Sequence, residues 1–376
     1  MLSTSALPEG MTIAWGDRLH LTFDAHKSEN ASPAQSSQLP TGRIGPLREA
    51  LFAGNVRVTD PRLHLQADQL SATLASSREL SVKRNSPARL EKLTAQGNVR
   101  VQTQPSSQAT RDQSADPSKV MDLEALTLNC DQLSVHMDES GKQSAQPREL
   151  LATGRVDAQT AEHRIQAGQM RVLLVPGKSA ASAKETDQEQ LQVESITARD
   201  NVTLQALALQ ATLTGTQVVI DTRKQQLTAV GDGNKPAHLR LPDATLTASQ
   251  MVLDQARQKL TTPVSGVFIF LERDPRDPAA PPAVVTTQWS RDMSFDQAAG
   301  QVLFRGNVRT DSVARRDTMK LTCDELAVLF DPSSAQGDQV NASRDVRQVK
   351  TLAARHNVVF ESVNWIDRPE GNPPPV

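Results

Sequence analysis

Seven histidines, His20, His26, His64, His136, His163, His238 and His356, are the first candidates for chemistry in this chain. Metal binding and proton transfer need such groups clustered. None of the seven forms an H-x-x-x-H pair or joins a cysteine cluster, so their spacing supports no metal site. No P-loop, no G-x-S-x-G and no G-x-G-x-x-G after a strand occurs. GDGNKP (231–236) has the glycines of a phosphate cradle. It lacks a following Lys-Ser/Thr and an apolar helix, and reads as a turn. Asp324 and Glu325 form a paired carboxylate, a group that acid–base chemistry uses. Neighbours on a strand point to opposite faces, so the two cannot serve one substrate without a local bend. The expectation is a protein that is not an enzyme, with no metal and no cofactor.

The carboxylate pair belongs to a segment that recurs. MKLTCDELAVLF (319–330) has sisters in LHLQADQLSATL (63–74), LTLNCDQLSVHM (126–137), HRIQAGQMRVLL (163–174) and ATLTASQMVL (244–253). Those copies put Gln, Gly or Ser where the carboxylates stand, so the slot reads as structural. LTGTQVVI (213–220) is a second small-residue version. A partner motif alternates with it: FAGNVRV (52–58), LTAQGNVRV (93–101), ATGRVDA (152–158) and FRGNVRT (304–310). ARDNVTL (198–204) and ARHNVVF (354–360) keep the frame, with Asp200 and His356 in the glycine slot. LTAVGDG (227–233) and SGVFIF (265–270) are degenerate copies, and WGDRLHLTFD and WSRDMSFD form a Trp-led subtype from Trp15 and Trp289. The chain is an internal repeat, which governs every later reading.

The phase of the apolar residues names the element. Leu63, Leu65 and Ala67 share one face of a strand; Leu70, Ala72 and Leu74 continue in the opposite phase. A one-residue shift flips every later side chain. An inserted residue, a β-bulge or tight bend at Asp68-Gln69 and its equivalents, would keep all of them facing one interior. The 180° alternation, with no i, i+3, i+4 stripe, argues against helix. Gly54, Gly97, Gly154 and Gly306 mark close backbone approach or a bend on the return strands. Ala67, Cys130, Ala167, Ala248 and Cys323 are small residues that let two arms approach. Both cysteines are therefore expected to be buried, reduced and unpaired with each other. His356 is expected to be partly buried, neutral and held by backbone. The inward slots are Leu65, Leu128, Ile165, Leu246 and Leu321, joined by Val99, Val308 and Phe304.

Composition fits an all-β repeat. Of 376 residues 38% are hydrophobic, only 3% are aromatic and none is tyrosine, so the core must be aliphatic. A net charge of −2 gives no electrostatic case for nucleic acid. Polar, low-complexity segments at 24–45, 103–119, 176–190, 274–282 and 331–345 read as surface insertions. The expected organisation is a repeat region over 1–273 (copies 1–6), a Pro-rich loop at 274–288, a continuing repeat region over 289–366 (copies 7–8) and a disordered tail at 367–376. No segment approaches ~18 consecutive apolar residues, so no transmembrane helix is expected. The start, MLSTSALPEGMTIAW, shows neither the basic nor the apolar part of a secretory signal.

The alternation of A-x-G-N-V-x-V with L-x-A-D-x-L resembles the OstA-like domains of lipopolysaccharide transport, the periplasmic bridge protein of LptA type and its relatives. The resemblance runs from Trp15 to Phe360 in roughly eight copies. It implies a twisted antiparallel β-jellyroll of V-shaped section, solenoid-like in its repetition. It further implies an apolar trough that shelters acyl chains, lined by the eight inward residues named above. Edge-to-edge stacking with other OstA-like envelope proteins and a periplasmic or cell-envelope location follow from the same resemblance. Two functions remain open on the sequence. One is a lipid-binding transport or bridging module for a lipopolysaccharide-like lipid. The other is a structural β-solenoid with a closed, packed interior. Both require aliphatic inward faces.

Overall fold

The computed structural model describes residues 12–23, 47–60, 63–75, 89–103, 126–138, 146–176, 191–272, 281–314, 317–330 and 349–364. Among these every regular element is a β-strand, and the pairing is antiparallel. The all-β reading is borne out, as period-2 alternation requires. The polar insertions lie almost wholly outside the described residues, and so does the tail at 367–376. Two compact units form. Among the described residues the first holds those up to 161 and 166–196; the second holds 162–165 and those from 197 onward. The Pro-rich run at 274–282 lies outside the described residues up to 280.

In the first unit β1 (Thr12–Ala14) and β2 (Arg18–Phe23) pair side by side with β3 (Leu47–Asp60). β4 (Leu63–Ala75), β5 (Arg89–Thr103), β6 (Thr127–Asp138) and β7 (Gln146–Gln159) then pair in chain order. β8 (His163–Pro176) and β9 (Leu191–Ala206) follow in the sequence.

Each long pair carries the same irregularity. Ala53 pairs with Gln69 and Val56 with Ala67, so Gly54 and Asn55 oppose the single residue Asp68. Gly97 and Asn98 oppose Asp131 in the same way. In both, the glycine and its successor have left-handed backbone: φ is 87° and 47° at Gly54 and Asn55, and 76° and 47° at Gly97 and Asn98. The bulge expected at Asp68-Gln69 is therefore relocated. Its extra residue sits on the Gly-Asn strand, while Asp68 and Gln69 stay outside the left-handed region. The reason is steric: left-handed backbone costs an ordinary residue ~1–2 kcal/mol and costs glycine almost nothing, with asparagine tolerated. The phase shift itself is present. Ala67 and Leu70 are buried, and Asp68 and Gln69 between them are both exposed.

That bulge lets both halves of each strand face one interior. Val58, Leu65, Val101, Leu128 and Ala158 are successive partners across five strands on one side of it. Phe52, Leu70, Ala95, Leu133 and Ala152 form the row on the other side. All but the half-buried Phe52 are buried. Each buried leucine or valine contributes roughly 1.5–3 kcal/mol, so these two rows hold the unit together.

The second unit shows the same division as separate strands. β10 (Ala211–Asp221) pairs through 217–221 with β11 (Gln226–Val230) and through 212–214 with β12 (Ala237–Arg240). One ladder continues from β11 to β14 (Gln250–Asp254), β15 (Lys259–Thr262) and β18 (Asp292–Asp296). The other continues from β12 to β13 (Ala244–Ala248), β16 (Gly266–Glu272) and β17 (Ala283–Trp289). Both converge on β19 (Gln301–Val313), which takes β18 along 301–305 and β17 along 309–313. β20 (Asp317–Phe330) pairs along β19 on both sides of a Gly306-Asn307 bulge opposite Asp324. β21 (Val349–Arg355) and β22 (Val359–Asn364) then cover the two halves of β20.

The Trp-led segments replace the bulge by a strand break. Gly16 N donates to Gly54 O at 2.6 Å, and Ser290 N to Gly306 O at 2.7 Å. Each tryptophan packs on the phenylalanine two residues before that glycine. Trp15 lies 5.1 Å from Phe52 and Trp289 lies 5.2 Å from Phe304, ring centre to ring centre.

Candidate functional site

The site begins with cross-strand rows in the second unit. Leu246, Phe268, Thr287, Thr310, Leu321 and Phe360 are successive partners from β13 to β22. Ala244, Phe270, Val285, Ser312, Met319 and Ser362 form the adjacent row. Beyond the Gly306-Asn307 bulge, Phe304 pairs with Leu326 and Val302 with Val328, and Val328 continues to Leu352.

The two ladders face each other. Phe304 precedes Thr310 by six residues on β19, which is ~20 Å of extended strand. Phe268 lies two strands away from Thr310 in the other direction, a further ~10 Å across the sheet. In a flat sheet the two phenylalanines would be more than ~20 Å apart. Their ring centres are 6.3 Å apart. Only a fold at the bulge brings them into contact.

Between the ladders lies an apolar cavity of about 240 Å³. Phe268, Phe270, Val285, Thr287, Thr310, Ser312 and Leu321 line one wall, and Val302, Phe304, Leu326, Val328 and Phe330 line the other. Val349, Leu352 and Phe360 line it from β21 and β22, and Met319 and the carboxylate-bearing Glu272 complete the lining. Phe360 is 61% exposed and Leu352 51%, which places the mouth at these strands. Among the described strands β21 and β22 pair only with β20.

Of the eight inward residues read from the sequence, Leu321 and Phe304 line this cavity. Leu65, Leu128, Val99, Ile165, Leu246 and Val308 are also buried, none more than 4% exposed, yet none lines the cavity. Leu65 has Val58 and Val101 as its cross-strand partners, and Leu128 has Val101 and Ala158, all of them buried. Sequence reasoning missed Phe268, Phe270, Phe330 and Phe360. Their signal was present: five of the chain's eight phenylalanines line one cavity, and all five fall after residue 267.

The polar candidates resolve as structural parts. Asp324 accepts a hydrogen bond from Asn357 Nδ2 at 2.8 Å, and Glu325 accepts from Arg305 and Arg355. Asp232 Oδ1 accepts from the backbone N–H of Asn234 and Lys235, so GDGNKP is a turn. His356 departs from its expectation. It is exposed, at φ 61°, because the bulge it occupies turns its side chain to solvent, while its carbonyl accepts from Asp324 N at 3.0 Å. Among the described residues no cluster of His, Cys, Asp and Glu could hold a metal ion. Cys130 and Cys323 are buried and free, as expected. Burial pushes the Cys130 thiol up to about 11, helped by the Asp131 carboxylate and opposed by the Gln132 backbone N–H. Burial raises Cys323 too.

No protein-family model matches the sequence, and no curated protein matches it either.

Proposed function

We infer that this chain is a non-enzymatic lipid-binding module of OstA-like kind. It shelters acyl chains of a lipopolysaccharide-like lipid during transport or bridging in the cell envelope. The observation that carries the reading is the phenylalanine-lined cavity between the two ladders of the second unit, open beside Phe360 and Leu352. An aliphatic and aromatic lining suits acyl chains, because transfer from water gains ~0.8 kcal/mol per CH₂ and needs no directional contact. At about 240 Å³ the cavity is smaller than the ~300–1,000 Å³ of a drug-sized site. It therefore takes the end of a chain rather than a whole lipid, with the remainder lying along the exposed apolar side chains of β21 and β22. The outer edges of those strands, unpaired among the described residues, suit pairing with another OstA-like envelope protein, by the main-chain hydrogen bonding that strand addition uses. A periplasmic or envelope location belongs to the same proposal. Nucleic acid is not a partner in it.

A packed scaffold is the second reading, and one observation favours it for the first unit. There the inward residues Leu65, Val99 and Leu128 are buried, none more than 4% exposed, beside buried cross-strand partners. The test is organic extraction of the purified protein and mass spectrometry of the extract, with uptake of a fluorescent fatty acid measured alongside. Co-purified acyl lipid and saturable uptake support the lipid reading. A clean extract with no uptake leaves the scaffold.

A further inference from the structure

The wall of the cavity is not uniformly apolar. Thr310 stands in GNVRT where Val58 and Val101 stand in the GNVRV copies. Those valines sit in an aliphatic row; Thr310 instead pairs with Thr287, and their hydroxyl oxygens are 3.1 Å apart. Ser312, two residues on, lines the same wall at 7% exposure. The facing wall of Phe304, Leu326 and Val328 offers no polar atom. A Val-for-Thr exchange keeps the shape and changes only the chemistry, so the hydroxyls are an addition to a slot the repeat otherwise fills with hydrocarbon.

Thr residues pair favourably across strands, and a mutual bond accounts for part of the Thr287–Thr310 pair. It does not account for Ser312. Nor does it use the capacity of the threonines, since two hydroxyls sharing one bond retain one donor proton and several lone pairs. A bare hydrocarbon chain would bury those groups unmatched, at the desolvation cost of each.

We propose that this cavity selects an acyl chain bearing an oxygen function, a hydroxyl or a carbonyl, within its buried part, held against Thr287, Thr310 and Ser312. The proposal rests on the lipid reading above and specifies its ligand. Full-length protein is titrated with dodecanoic acid and with its monohydroxylated analogues, the hydroxyl placed near, midway along and far from the carboxylate. The net value of a neutral hydrogen bond corresponds to roughly a 2–12-fold change in affinity. At least one analogue is expected to bind tighter than the parent by a factor in that range. A Thr310→Val, Ser312→Ala double variant should lose the preference and bind the parent at least as well. Valine is native to this slot in two sister copies, and a melting curve verifies that the variant folds. Equal binding of parent and analogues, or a preference that survives the double variant, overturns this inference and leaves the lipid reading standing. Failure of the wild-type protein to bind any of the acids overturns the lipid reading itself.

Discussion

Asn98 Nδ2 donates a hydrogen bond to Asp68 Oδ2 at 3.0 Å across the bulge that joins β4 and β5. Asn357 and Asp324 repeat the contact at 2.8 Å, and Arg155 does the same for Asp131 with its guanidinium at 2.6 Å. The aspartate of one motif and the residue after the glycine slot of the other thus meet at these three corners, whereas at the Gly306 corner Asn307 Nδ2 donates to Ser290 Oγ. This contact explains why the two motifs alternate. It also explains the glycine, because a Cβ on Gly97 would collide with the Asp68 carboxylate.

Gly97→Ala should therefore destabilise the first unit. The left-handed backbone contributes ~1–2 kcal/mol, and the displaced carboxylate loses its bond to Asn98, worth ~1 kcal/mol. A loss of roughly 2–3 kcal/mol in urea unfolding is expected. A change below the measurement error would show that the corner relaxes freely.

His356→Gly should stabilise. His356 holds φ 61° with its side chain exposed. Relief of that strain exceeds the extra entropy of an unfolded glycine by roughly 0.5–1 kcal/mol. Asp200→Gly, at φ 67°, should gain less, since aspartate tolerates this region better than histidine does. Equal or reversed effects in paired melts would contradict the strain account.

Alkaline pH should weaken the first unit through Cys130. Its folded pKa of about 11 lies above the ordinary 9.0, so the native state keeps a proton that the unfolded chain gives up. The thiol's contribution is complete below pH 9 and is lost as pH rises toward 11, at most about 3 kcal/mol in all. The chain has no tyrosine to titrate in the same range. Unfolding midpoints from pH 8 to 10.5 should fall for the wild type and fall less for Cys130→Ala. Cys323, also raised, should add the same sign in the second unit.

Much of this fold was legible in the sequence, and the limits have physical causes. Leu65, Ala67 and Leu70 reveal the phase shift, because burial imposes it on side-chain type. Which strand holds the extra residue was not legible from that phase. The pairing Ala53–Gln69 followed by Val56–Ala67 decides it, and pairing is a property of two segments at once. The cavity was legible only in part. Leu321 and Leu128 occupy the same slot of the same motif, yet Leu321 lines the cavity beside Thr310 and Phe360, and Leu128, beside Val101 and Ala158, does not. That difference arises from neighbouring strands, where Phe268, Thr310 and Phe360 depart from the aliphatic pattern.

Leu128→Asp should collapse the first unit. Leu128 is 4% exposed between two apolar partners, so the carboxylate has neither solvent nor counter-ion. The expected loss is several kcal/mol. Phe360→Ser, at a position 61% exposed, should leave the melt within ~0.5 kcal/mol of wild type while lowering fatty-acid uptake. Circular dichroism melts and uptake assays on both variants separate packing from binding. A folded Leu128→Asp would mean that water reaches the first interior.

Trp289 supplies the test of the closed end of the second unit. It is 3% exposed, packs on Phe304, and its indole Nε1 donates to Val264 O at 2.9 Å. Gly266 is required beside it, since a Cβ there would meet Trp289 Cζ2 at 2.5 Å. Trp289→Phe keeps an aromatic ring but removes the donor and part of the volume, leaving the Val264 carbonyl without that partner. The unmatched carbonyl costs ~1–3 kcal/mol and the smaller ring adds to it. The variant should lose stability in that range and lose a blue-shifted component of the emission. Gly266→Ala forces the indole to move and should shift the same emission to the red without removing it. An unchanged emission in Gly266→Ala would show that the indole has room the packing denies it. That result would break the link between this tryptophan and the phenylalanine wall behind it.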